Sequence, residues 1–225
     1  VNQNNNQNQN QNTNENTNQE VNQNNNQNQN QNTNENTNQE ALDADNDGLS
    51  YEEELVFSTN QNLEDTDRDG YKDGQEIASL YNPLLPAQSL VDSGLVTKFI
   101  NDSYAYNILR PKTWLVKTLA DVLDNVLVLP DSESGESFSI LAEDNSAGQT
   151  LNEALASRAT ELGSPANYQN YSLAGQPALR SKDGRNVISI HGKYIYVISH
   201  SVSPSGEVNF TNIFEMMLNS FAWVN

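Results

Sequence analysis

The strongest hydrophobic pattern lies near the end of the chain, where apolar residues recur every three or four positions. The members of this stripe are Phe210, Ile213, Phe214, Met217, Leu218 and Phe221. The spacing predicts a helix over residues 209–221 that packs one face against a sheet. We expect Trp223, which follows this helix, to complete the same core.

A second helix is predicted over residues 151–162, because Thr150 and Glu153 form a capping box and Gly163 suits the position after a helix end. The other apolar segments have the composition of strands, and Asp183-Gly184 is typical of a hairpin turn. The predicted strand segments are residues 104–109, 114–119, 126–129, 137–142, 171–180, 187–190 and 194–202. This order predicts an α+β fold in which an antiparallel sheet is flanked by helices.

The start of the chain has no hydrophobic pattern. Residues 1–20 and 21–40 are two copies of one Asn/Gln-rich 20-residue sequence. Since no core can offset the entropy of ordering it, we expect a disordered tail. The alternative is a cross-β assembly of stacked Asn and Gln side chains, which the recurring Glu residues would oppose. The perfect duplication also suggests an array that continues upstream of Val1.

Between the tail and the predicted strands lie two acidic loops of one design, residues 43–54 and 65–76. Both match the calcium-loop pattern D-x-[DN]-x-[DN]-G-x5-E. Calcium takes six to eight oxygen ligands at about 2.3–2.6 Å, and a Gly at the sixth position lets the loop curl around it. The predicted calcium ligands are Asp43, Asp45, Asp47, the carbonyl of Leu49, Glu54, Asp65, Asp67, Asp69, the carbonyl of Tyr71, Asp73 and Glu76.

The charge of residues 43–76 supports a cation-binding role. This stretch carries twelve Asp and Glu residues against Arg68 and Lys72, a density that opposes a compact structure unless cations neutralise it. It also has few apolar residues, so we expect it to need calcium, whereas the C-terminal half should fold around a core of its own. The predicted organisation is a tail (1–40), a calcium module (41–86), a linker with a short helix over 87–100 (87–102) and a C-terminal domain (103–225).

The calcium module resembles the bacterial form of thrombospondin type-3 repeats. Residues 58–76 are similar to that family's linker plus loop, and Tyr-Asn-Pro-Leu at 81–84 is similar to its usual exit. An EF-hand would need a helix entering the loop, and the polar tract before Asp43 does not provide one. Gln61 departs from the family, which often has Pro there, so the linker between the loops is expected to be looser. The resemblance implies an extracellular, calcium-stiffened spacer between surface domains.

The C-terminal half resembles the PsbP-like domains over roughly residues 102–224. The segments that carry the resemblance are Tyr-Asn-Ile-Leu-Arg-Pro-Lys-Thr-Trp at 106–114, Leu-Ala-Gly-Gln-Pro-Ala at 173–178, the Tyr-Ile-Tyr hairpin at 194–196 and Ser-Phe at 220–221. Arg110 replaces a common aromatic residue, and Thr113 replaces a common Gly. The resemblance implies a non-catalytic fold that docks on other proteins or on the cell envelope. The matching segments are core and turn positions, so no binding residue is carried over.

Composition limits the remaining chemistry. A formal charge of −19 argues against nucleic-acid binding, and the absence of Cys excludes disulfides and thiolate metal sites. No apolar run approaches the roughly 18 residues of a membrane helix. No catalytic motif is present, His191 and His200 lack partners at suggestive spacing, and Trp114 reads as a core residue. We therefore expect no enzymatic activity.

Together these features predict an exported, non-catalytic calcium-binding protein of the cell surface or envelope. In this interpretation the calcium-stiffened repeats tether a PsbP-like interaction domain to another envelope or surface protein. Weak calcium loops fill only near millimolar calcium, outside the cytosol. The alternative is a hydrolase or accessory domain acting on cell-surface polymers, which two facing carboxylates in a cleft of the sandwich would favour.

Overall fold

The computed structural model of the protein describes residues 39–119 and 125–224. Most of the Asn/Gln-rich repeat predicted as a tail therefore lies outside the described residues. Its last two residues form β1 (Gln39–Glu40), which pairs in parallel with β11 (Glu207–Val208).

A seven-stranded sheet forms the centre of the fold. Its strands, in spatial order, are β4 (Leu115–Leu119), β5 (Asn125–Leu129), β6 (Ser137–Asp144), β10 (Tyr194–Ser201), β9 (Asn186–His191), β8 (Gln176–Ser181) and β7 (Tyr168–Leu173). Every neighbouring pair is antiparallel. Alternate residues of β10 point to opposite faces: Tyr196 and Ile198 join one buried cluster, and Ile195 and Val197 join the other.

Helices cover both faces of this sheet, which confirms the predicted α+β class. The apolar stripe near the C-terminus forms α5 (Thr211–Asn219), slightly shorter than the predicted residues 209–221. The helix predicted over residues 151–162 is divided at Arg158 into α3 (Leu151–Ser157) and α4 (Ala159–Leu162). Its predicted capping box is present. None of the helices within the described ranges is long and apolar enough to cross a membrane.

The expected helix over residues 87–100 is wrong. This segment contains one 3-10 turn, Leu90–Asp92, followed by β2 (Val96–Asn101). β2 pairs along its whole length with β3 (Tyr106–Pro111), which also pairs with β12 (Ala222–Trp223) to form a three-stranded antiparallel sheet. The backbone pairing with β3 outweighs the weak apolar spacing that favoured a helix. The predicted linker 87–102 is thus partly a strand of the C-terminal sheet.

The calcium module contributes two short helices, α1 (Tyr51–Phe57) and α2 (Asp73–Ala78). Their buried residues do not form a separate core. Leu49, Phe57 and Ile77 belong to the same hydrophobic cluster as the buried face of α5 and the inner face of the seven-stranded sheet. The module has too few apolar residues to enclose a core, and it buries them on α5 instead.

Candidate metal centre

The two acidic loops have the same backbone conformation. The fourth loop residue has a positive φ in both, 62° at Asn46 and 64° at Arg68. The sixth has φ of 102° at Gly48 and 99° at Gly70. A side chain at this sixth position would be strained, which is why the pattern requires Gly there. The sequence match therefore corresponds to one repeated three-dimensional loop.

The first carboxylate of each loop fastens the curled backbone. In the first loop Asp43 accepts hydrogen bonds from the backbone N–H of Asn46 (2.8 Å) and of Gly48 (3.0 Å). In the second loop Asp65 accepts the equivalent bonds from Arg68 (2.7 Å) and Gly70 (2.8 Å). These bonds hold the loops in the shape that points the following carboxylates inward.

The third and fifth carboxylates converge with the first. In each loop, one carboxylate oxygen from each of the three Asp residues lies within 4.8 Å of the others. Each fifth-position Asp also accepts from the backbone two residues later: Asp47 from Leu49 N–H at 2.6 Å, and Asp69 from Tyr71 N–H at 3.0 Å. Such spacing suits several oxygens around one cation, since calcium bonds of about 2.3–2.6 Å place ligand oxygens closer than 5 Å apart.

Several of these carboxylate oxygens are buried without a hydrogen-bond donor. In the described part of the chain they are Asp45 Oδ2, Asp47 Oδ2 and Glu54 Oε1 in the first loop, and Asp67 Oδ2 and Glu76 Oε2 in the second. Three of the residues are almost fully buried, with exposed fractions of 5% for Asp47, 1% for Glu54 and 4% for Glu76. A buried oxygen without a partner is costly, and a cation would supply the missing partner.

The pKa values of these groups reflect the same unfavourable burial of carboxylate oxygens. Burial, reinforced by the neighbouring loop carboxylates, raises the pKa of Asp47 and of Glu54 to about 7 and that of Glu76 to about 8. Burial also raises the pKa of Asp67 and of Asp73. A cation bound here would therefore compete with protons for the same oxygens.

Asp73 lies between the two loops. It is fully buried, and its oxygens accept from the backbone N–H of Thr66 (2.8 Å) and the hydroxyl of Thr66 (2.6 Å). Its charge acts on Asp47 and Glu54 of the first loop and on Glu76 of the second. It was predicted as a ligand of the second loop, and the structure places it beside both.

The two residues whose backbone carbonyls are predicted to bind calcium, Leu49 and Tyr71, have different surroundings. The side chain of Leu49 is fully buried in the core below the first loop, whereas that of Tyr71 is 57% exposed. The first loop is also covered by α2, since a Cβ atom at Gly74 would lie 2.6 Å from the carbonyl oxygen of Asp47. The first loop is thus enclosed, and the second is more open.

Glu53 is a functional residue that sequence analysis missed. It completes a capping box with Ser50 at the start of α1 and accepts from the backbone N–H of Ile213 at 2.8 Å. This bond caps the first turn of α5, which has no side-chain cap of its own. Burial raises the pKa of Glu53 to about 8. Glu54, the twelfth residue of the first loop, follows Glu53 directly in α1. A predicted calcium ligand and the residue that caps α5 are therefore adjacent in the sequence.

A buried polar pair was also missed. His200 Nε2 lies 2.7 Å from Glu136 Oε2, with side-chain exposures of 1% and 0%. The other oxygen of Glu136 accepts from the backbone N–H of Asn209 at 2.9 Å and from its side-chain amide at 2.5 Å. The register of β6 and β10 explains this contact. Phe138 of β6 lies opposite His200 of β10, and Glu136 immediately precedes β6, so its side chain lies near His200. Only the paired sheet reveals this contact.

No family model and no curated protein matches the sequence. Solved structures with similarity to this chain include three at 14% identity. Cyanobacterial PsbP (CyanoP) of Synechocystis aligns over 62% of this chain and 98% of its own, with a TM-score of 0.42. A Bacteroides thetaiotaomicron protein aligns over 58% and 49%, with a TM-score of 0.43. The Saccharomyces cerevisiae Ran-binding protein Mog1p aligns over 58% and 96%, with a TM-score of 0.37. The thrombospondin type-3 resemblance of the acidic loops stays a prediction.

Proposed function

We propose that this chain is a non-catalytic calcium-binding protein in which two ions fix an acidic module onto an α+β, PsbP-like domain. One observation carries the proposal: in each loop, converging carboxylates include buried oxygens with no hydrogen-bond donor. A solvated acidic linker would expose these oxygens to water, whereas Asp47, Glu54 and Glu76 are almost fully buried.

The same chemistry supports an extracellular or envelope location. Extracellular calcium modules bind with dissociation constants of roughly 10⁻⁴–10⁻³ M, and such sites fill only where calcium is abundant. A role as a surface or envelope component that docks on another protein of that compartment follows from this location and from the PsbP-like resemblance. The excess of negative charge, −19 overall, makes a nucleic acid an unsuitable partner.

The hydrolase alternative requires carboxylates that reach substrate and water. Two buried carboxylates outside the predicted ligand set, Glu53 of α1 and Glu136 next to β6, instead accept hydrogen bonds from the backbone N–H groups of Ile213 and Asn209. Their exposed fractions are 1% and 3%. This arrangement favours a structural role for both residues.

Calcium titration by isothermal calorimetry tests the proposal. We expect two sites with dissociation constants of roughly 10⁻⁴–10⁻³ M. Asp45→Asn should abolish the first-loop site, and Asp67→Asn the second. Asp92→Asn, an exposed carboxylate outside both loops, serves as the matched control and should bind like the native protein. The absence of binding heat and of any thermal shift at several times these concentrations would refute the proposal.

A further inference from the structure

A cleft of about 290 Å³ opens beside the second loop. Its lining includes Asp69, Tyr71, Gln75, Glu76, Ser79 and Tyr81. The volume is close to the lower end of small-molecule sites, roughly 300–1,000 Å³. Three of the lining residues, Asp69, Tyr71 through its carbonyl, and Glu76, are predicted calcium ligands, so a molecule in the cleft would lie next to the bound ion.

The ligands of the second loop would leave free positions in the coordination shell of a bound calcium ion. Three Asp oxygens, the carbonyl of Tyr71 and two oxygens of Glu76 would provide about six ligands, and calcium accepts up to about eight. The ninth loop residue, Asp73, is fully buried and engaged by Thr66, so it does not face the cleft as a free group. The first loop is more enclosed, because α2 packs directly on it at Gly74.

The lining chemistry selects the class of ligand. The residues that line the cleft include two carboxylates and neither Lys nor Arg. An anionic ligand would therefore be repelled by everything except the ion itself. Hydroxyl and amide groups come from Ser79 and Gln75, while Tyr71 and Tyr81 are 57% and 52% exposed. Aromatic faces pack against the apolar side of a sugar ring, and neutral hydroxyls can both bind calcium and form hydrogen bonds.

We propose that the second calcium loop and its cleft bind a neutral saccharide, with two adjacent hydroxyl groups completing the coordination of the ion. Gln75 and Ser79 hydrogen-bond further hydroxyls, and Tyr81 packs against the ring. The inference rests on the proposed calcium binding by the second loop. It assigns that loop a ligand and leaves the first loop a structural role.

The test uses the full chain on an array of neutral hexose-, fucose- and N-acetylhexosamine-terminated oligosaccharides, with uronic-acid glycans on the same surface. Binding is measured with about 5 mM calcium, above the roughly 10⁻⁴–10⁻³ M dissociation constants, and again with chelator. We expect retention of neutral glycans that chelator removes. Tyr81→Ala should weaken that binding by about tenfold. Tyr51→Ala removes a tyrosine with 46% exposure from the first loop, outside the cleft lining, and should leave binding unchanged.

Calorimetric calcium titration of each variant separates the two proposals. Two calcium sites in the native chain and in Tyr81→Ala, with glycan binding lost only in the variant, support the saccharide site. Normal calcium binding with no neutral glycan retained would overturn the saccharide site and leave the calcium function standing. Retention of acidic glycans alone, retention that survives chelator, or an affinity that Tyr81→Ala leaves unchanged would also overturn it. No calcium binding at the second loop would overturn both proposals.

Discussion

At the scale of single residues, the loop carboxylates would couple the proposed calcium binding to proton release. In the metal-free protein, burial raises the pKa of Asp47 and Glu54 to about 7 and that of Glu76 to about 8. The ordinary values are about 4 in an unfolded chain. The folded metal-free state therefore holds more protons than the unfolded state between about pH 4 and 8. The contribution of these three groups to stability is greatest below this window and falls as pH rises through it, because the buried groups must ionise.

Calcium should reverse this dependence. The ion binds the ionised carboxylates, so we expect its affinity to rise as pH increases from about 5.5 to 8 and binding to release protons. Calorimetry in buffers of different ionisation enthalpy measures that release directly. Sodium chloride at matched ionic strength is the control for screening of the carboxylate charges by salt. An affinity that is constant across this range would show that the loop carboxylates are already ionised in the metal-free protein.

Glu53 makes a separate prediction at this scale. Glu53→Ala removes the acceptor for the backbone N–H of Ile213 and leaves that buried donor unsatisfied. We expect a loss of about 1–3 kcal/mol in the free energy of unfolding, measured by urea denaturation. Glu52→Ala is the matched control at a partly exposed neighbouring position and should change it by less than about 0.5 kcal/mol. Equal effects of the two substitutions would mean that the bond to α5 is dispensable.

At the scale of elements, the sequence anticipated what local chemistry determines. Both loops, the capping box of Thr150 and Glu153, and the apolar face of α5 were readable from spacing alone. β2 was not, because its formation depends on backbone pairing with β3 across a turn. The contact between His200 and Glu136 likewise needs the β6–β10 register, which a single sequence does not contain. Elements with a distinct local pattern were predicted, including the strands β6 and β10, whereas the pairing of strands and the side-chain contacts that depend on it were not.

The contact between α2 and the first loop gives an element-scale prediction. In Gly74→Ala the added methyl group would meet the carbonyl oxygen of Asp47 at 2.6 Å, so the helix and the loop must separate. Overpacking of this kind costs about 1–3 kcal/mol, and we expect weaker calcium binding by the first loop as well as lower stability. Gln75→Ala changes an exposed neighbour in the same helix and should leave both properties nearly unchanged. Native first-loop affinity in Gly74→Ala would show that the loop tolerates this displacement.

At the scale of the whole molecule, the module and the sandwich form one structure. The described residues, 39–119 and 125–224, belong to a single compact unit, and the module buries Leu49, Phe57 and Ile77 in the core that α5 shares. Polar bonds tie the same parts together: Asn219 donates to the carbonyl of Ala78 at 2.8 Å, and Glu53 caps α5. Composition suggested two independent parts because it shows how many apolar residues a segment has, and not where it buries them. Calcium bound to the loops should therefore stabilise residues far from any ligand.

Thermal unfolding followed by tryptophan fluorescence tests this coupling. Trp114 is 2% exposed and packs against Phe138 and Phe210 at 5.3 and 5.0 Å, so it reports on the sandwich and not on the loops. At about 10 mM calcium, dissociation constants of roughly 10⁻⁴–10⁻³ M stabilise the folded state by about 1.4–2.7 kcal/mol per site. Two sites in a unit of this size should raise the midpoint by about 6–20 °C in one transition. The double variant Asp45→Asn/Asp67→Asn should show no calcium-dependent rise. The contrary outcome is a fluorescence midpoint that is the same with and without calcium, while chelator makes residues 43–86 sensitive to proteolysis. In that case the sandwich folds independently of the module, as composition alone suggested.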